Sequence, residues 1–166
     1  MIIFLDTKLS NFMNQKIVSI GLVAEHGKHE FYAERKDLKI KDCAPEVIVN
    51  VLPLLGKDGR EMHDWELSQN LREWFEQLPE KAVVLCENLE NAALFQDAVT
   101  GFGLKLPPPE QLDSIHPIDK DILLAPSFVE VKNASWGQKN RQRHHALQNA
   151  KILKNGWIHT KKLFQS

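Results

Sequence analysis

Cysteine is scarce: Cys43 and Cys86 are the only two among 166 residues, and they lie far apart. Two isolated thiols make neither a disulfide framework nor a zinc site, and Cys86 falls inside the apolar run AVVLC, where a free cysteine behaves as a small hydrophobe. Long apolar runs are also lacking. No stretch approaches the roughly 20 residues that a membrane-crossing helix needs, so no membrane insertion is expected. MIIFL leads straight into Asp6 and Lys8, without a basic start or a small-residue cleavage site. It therefore reads as a strand and not as a signal peptide, and a cytoplasmic location is expected. There is no internal repeat and no low-complexity tract. A chain of this length buries about two-thirds of its unfolded surface as one unit, so a single domain over residues 1–166 is expected.

Acidic side chains are missing from the C-terminal part. Residues 132–166 hold eight of the 21 Lys and Arg and none of the 22 Asp and Glu, which leaves a balance of −9 on residues 1–131. A basic segment on an acidic body suits an edge that contacts phosphates; it equally suits a helix docked on that body.

Three apolar runs open the chain: IIFLDTKL, KIVSIGLVAEHG and KHEFYAERK. Gly27, in a short polar joint, marks a hairpin, and the three runs read as an antiparallel meander. Residues 36–62 give a helix from about Pro45 to Leu52 and then a turn. HDWELSQNLREWFEQL places Leu67, Leu71, Trp74, Phe75 and Leu78 on one helical stripe behind an Asp64 cap. AVVLCEN is a buried strand, and LENAALFQDAVTGFG is a helix closing at Gly103, an order that implies a crossover onto a parallel neighbour. KLPPPEQLDSIHPIDKDILL carries one short strand. RQRHHALQNAKILKNGW puts Ala146, Leu147, Ala150, Leu153 and Trp157 on the stripe of a last helix.

Within FLDTKL, strand alternation points Asp6 and Lys8 to the same side, with Ile2 and Phe4. An exposed pair of that kind contributes ~0–1 kcal/mol. FLDTKL, VSIGLVAEHGKHEFYAE, VLPLLG, VVLCENLENAALF and HHALQNAKILKNGW together resemble the 3'-to-5' exoribonucleases of the DEDDh exonuclease family, in the family's order and over residues 2–157. The resemblance implies a ribonuclease H-like α/β fold: a mixed five-stranded sheet, its first three strands antiparallel, flanked by helices. It also implies a site where four carboxylates hold two divalent cations, Mg²⁺ or Mn²⁺, about 4 Å apart, and a histidine takes the proton of the attacking water.

Residue by residue, that pattern breaks. Asp6 stands at the first acid and His144 at the general base, but Lys8, Asn91 and Asn149 stand at the other three acids. A lysine is a fixed positive charge in the place of a ligand and repels the ion it replaces. No bound metal is therefore expected, with Asp6 the sole surviving ligand. A shifted register would bring in Glu87, Glu90 or Asp97, which repairs one loss of three. Trp136, Lys139, Arg141 and Arg143, followed by His145, pair an aromatic face with phosphate-seeking charges, as single-stranded nucleic acid requires; Trp136 equally suits a place in the core. The expectation is a pseudoenzyme that binds single-stranded RNA or DNA, or a protein partner, a second copy of the chain included. The alternatives are an active metal-dependent exonuclease with unconventional ligands and a protein-interaction module.

Overall fold

A computed structural model describes residues 1–13, 15–57, 60–138 and 144–164. The β-branched and aromatic runs at the start form β1 (Ile2–Leu9), β2 (Ile17–Ala24) and β3 (Glu30–Arg35), an antiparallel meander. Gly27 takes the positive φ of 73° that the β2–β3 turn requires. Next come α1 (Pro45–Asn50), a 3-10 turn at Leu52–Leu54, β4 (Glu61–Met62) and α2 (Asp64–Glu76). β5 (Ala82–Cys86), α3 (Leu89–Val99), β6 (Leu112–Pro117), α4 (Lys120–Leu123), α5 (Pro126–Gln138) and α6 (Ala146–Phe164) complete the order.

The sheet runs β4-β3-β2-β1-β5-β6. β5 lies parallel to both β1 and β6, as the crossover reading requires, and β4 lies parallel to β3. The sheet thus has six strands and not five. The extra one, β4, is two residues long, too short to leave a period in the sequence.

Alternation along β1 divides the core. Ile3 and Leu5 face α2 and α3 among Leu22, Phe31, Leu71, Phe75 and Phe95. Phe4 faces α5 and α6 among Val23, Ile118, Phe128, Ala150 and Leu153. Each large side chain buried this way contributes about 1.5–3 kcal/mol. Two readings of the helices need correction, and one helix goes unread. Asp64 does not cap α2: His63 is the N-cap, its N–H donates to Glu66 Oε2 at 2.8 Å, and Asp64 pairs instead with Arg35. The last helix begins at Ala146, so His144 and His145 precede it. Finally α5 is a full helix with scarcely any apolar stripe to announce it; Phe128, fully buried against Gly156 of α6, anchors it. No helix among the described residues is long and apolar enough to cross a membrane.

Candidate functional site

The C-terminal end of β1 presents Asp6 and Lys8 to the α5–α6 side of the sheet. Strand register extends each into a cross-strand row: Asp6 pairs with Gly21 and Gly21 with Tyr32, while Lys8 pairs with Ser19 and Ser19 with Glu34. Gly21 matters because α6 begins directly over it. A Cβ there would lie 2.3 Å from the Leu147 backbone nitrogen, so only glycine lets the helix start come down beside Asp6.

Lys8 Nζ and Asp6 Oδ2 form an ion pair at 2.7 Å, with the side chains 17% and 10% exposed. This is a largely buried pair, not the solvated strand-end bridge that the sequence allowed. Burial pushes the Asp6 carboxyl above its ordinary value; the Lys8 charge and hydrogen bond pull it down, the Glu87 charge pushes it up, and a hydrogen bond from Asn149 lowers it. Burial wins, so the ion pair only partly offsets the desolvation of the carboxylate.

Beyond the pair lies a cavity of about 20 Å³, walled by Asp6, Glu87, Phe128, Lys132, Trp136 and Asn149, with Ile152 and Leu153 behind. Lys132 Nζ, from α5, sits 2.6 Å from Glu87 Oε1 and 4.9 Å from the centre of the Trp136 ring. The cavity therefore holds two carboxylates, each matched by an ammonium, and room for about one water. Asn149 adds a buried Oδ1 without a hydrogen-bond partner among the described residues. Among those residues, no group of three or more His, Cys, Asp or Glu is placed to hold a metal ion.

Asn91 stands elsewhere. Its Oδ1 accepts from Thr7 Oγ1 at 2.8 Å, and Thr7, between Asp6 and Lys8, points to the opposite face of β1. Its backbone N–H also serves the α3 cap, donating to Asn88 Oδ1 at 2.9 Å. Of the positions that the sequence singled out, Asp6, Asn149 and Trp136 meet at the cavity, with Lys8 bonded to Asp6. Asn91 is turned away from them. His145 stacks on Tyr32 with ring centres 4.2 Å apart, and His144 is half-buried next to it. Lys139, Arg141 and Arg143 lie outside the described residues. Two basic residues of the C-terminal segment bind the acidic body instead: Lys132 on Glu87 and Lys151 on Glu30, the latter at 2.8 Å.

The sequence reading missed Glu34, Tyr32, Gly21 and Lys132. Glu34 is 1% exposed, accepting from Tyr32 Oη and from the Gly56 N–H, both at 2.7 Å. Its signal was present in EFYAER, where alternation puts Tyr32 and Glu34 on one face. Lys132 and Trp136 are four apart, a helical neighbour pair that shows only once α5 is known to be a helix.

No protein-family model and no curated protein sequence matches the chain.

Proposed function

We propose that the chain is a catalytically degenerate relative of the DEDDh 3'-to-5' exoribonucleases, on a ribonuclease H-like fold, that binds single-stranded nucleic acid at the start of α6 and does not cleave it. The observation that carries this reading is the matched pairing at the cavity. Among the described residues, Asp6 and Glu87 are the only carboxylates lining it, and each sits within 3 Å of a lysine Nζ. Two ammonium groups thus neutralise the charge that two divalent cations would need. The pairing is intramolecular and built from α5 as well as β1, so a divalent cation would have to displace both ammonium groups to bind. The six-stranded mixed sheet with helices on both faces, and a helix start brought down over Gly21 beside Asp6, are compatible with that ancestry.

The binding half of the proposal rests on charge. Residues 132–166 carry eight basic residues and no acid; Lys132 and Lys151 are held in internal pairs, Lys154, Lys161 and Lys162 lie along α6, and Lys139, Arg141 and Arg143 lie outside the described residues. Fluorescently labelled single-stranded RNA and DNA of one sequence, titrated at several salt concentrations, test it. Binding should weaken with salt by a slope of about −0.7 in log K per phosphate neutralised. Arg141→Glu with Arg143→Glu should flatten that slope. Absence of binding at low salt would remove the nucleic-acid reading and leave the protein-interaction module; Mn²⁺-dependent shortening of the RNA would establish the active exonuclease.

A further inference from the structure

On the opposite side of the molecule from Asp6, a cleft of about 630 Å³ opens between α2 and the segment that follows α3. Its walls are apolar: Trp65, Phe102, Leu104 and Leu106. Trp65 is 66% exposed and Leu104 73%, unusual for side chains this large set side by side around a concavity. Arg72 ties the two walls together, its Nη1 donating to Val99 O at 2.9 Å and to Pro107 O at 2.7 Å. Phe102 holds its place at a φ of 50°, in the left-handed region that a bulky side chain seldom adopts, between Gly101 and Gly103 at 91° and 92°.

The cleft also has a polar end. Ser68, one of the lining residues, is 5% exposed, and its Oγ is buried without a hydrogen-bond partner among the described residues. Asp64 Oδ1 is likewise buried and unpartnered, although its other oxygen pairs with Arg35. A buried hydroxyl left unmade costs free energy that a ligand would recover. Glu73 and Glu76 stand exposed at the mouth, and the one lining cation, Arg72, is committed to carbonyls.

We propose that this cleft is a binding site for a small organic cation, a protonated amine on an aromatic body. The aromatic part lies between Trp65 and Phe102, the ammonium faces Asp64, Glu73 and Glu76, and Ser68 Oγ serves as the hydrogen-bond partner at the floor. A carboxylate of the same shape meets repulsion from Glu73 and Glu76, while the Arg72 Nη1 is turned to the Val99 and Pro107 carbonyls and Arg35 is paired with Asp64. The volume lies within the range of small-molecule sites, roughly 300–1,000 Å³.

Matched probes test the charge preference directly. Tryptammonium and 2-phenylethylammonium, titrated into the full chain and followed by ligand-observed and amide NMR, should bind saturably below millimolar and shift amides of residues 64–76 and 101–106. Indole-3-propionate and 3-phenylpropionate should bind at least about tenfold more weakly. Glu73→Gln with Glu76→Gln, and separately Ser68→Ala, should each lower ammonium affinity by about three- to tenfold. Ser68→Ala should leave the melting temperature unchanged or raise it, since it removes an unsatisfied group, so a loss of binding there is not a loss of fold. Equal binding of amines and acids, binding that these variants leave untouched, or no binding at millimolar amine would each overturn the proposal.

Discussion

Asp6 is held as an ion only against its own burial. Because its native pKa is raised above the ordinary 3.8, the folded state takes up a proton at higher pH than the unfolded state does. Its contribution therefore favours folding at low pH and is lost as pH rises through the native value. Removing Lys8 takes away a group that lowers that value. Lys8→Met should accordingly destabilise the protein at pH 7 by about 2–4 kcal/mol, and the deficit should shrink towards pH 5 as the carboxyl neutralises. Adding Asp6→Asn should recover most of the loss. Denaturant melts of the four proteins of this cycle at both pH values check it; a deficit independent of pH would show that the two groups do not interact. The cysteines give a second test at this scale. Burial pushes the Cys86 thiol up to about 11; burial and the Asp42 charge raise the Cys43 thiol too, but Cys43 is only half-buried and open to reagent. Brief iodoacetamide treatment of the native protein should modify Cys43 and spare Cys86 until denaturant is added, as peptide mass spectrometry would report.

Among the elements, α6 has the tightest tolerances. Gly21→Ala would drive a Cβ into the backbone of Ala146 and Leu147, atoms that cannot turn aside, and should cost about 1–3 kcal/mol or more. Amide exchange should quicken first at residues 146–150 while β1 stays protected. Gly156→Ala meets the Phe128 ring at 2.8 Å, and because that ring is fully buried and anchors α5 the change should also destabilise, here by displacing α5 and not the start of α6. Neither glycine's role is legible in the sequence, because each is set by a helix distant along the chain. By contrast the meander, α2, β5 and α3 are legible, since each carries its own period of two or 3.6. α5 is not: its residues PSFVEVKNASWGQ scatter apolar and polar side chains around the helix, and only packing of Phe128 on α6 organises them. The candidate site divides the same way. Alternation alone brings Asp6 and Lys8 to one side. The partner of Glu87, Lys132, stays hidden with α5, and Asn91 lies on the other face of β1 because α3, which carries it, packs there, where its side chain accepts from Thr7.

For the whole molecule, the central claim is that internal lysines have replaced the cations of a nuclease-type site. Lys132, paired with Glu87, and Lys151, paired with Glu30, tie α5 and α6 to the acidic body. Calorimetric titration with Mn²⁺ examines the claim most directly, on the natural chain and on a variant combining Lys8→Glu, Lys132→Ala and Asn149→Asp. That variant frees Glu87, adds a carboxylate to the cavity lining at position 149 and places another beside Asp6 at position 8. The account predicts no saturable binding tighter than millimolar in the natural chain and micromolar binding in the variant. Micromolar binding by the natural chain, or its absence from a folded variant, would contradict it.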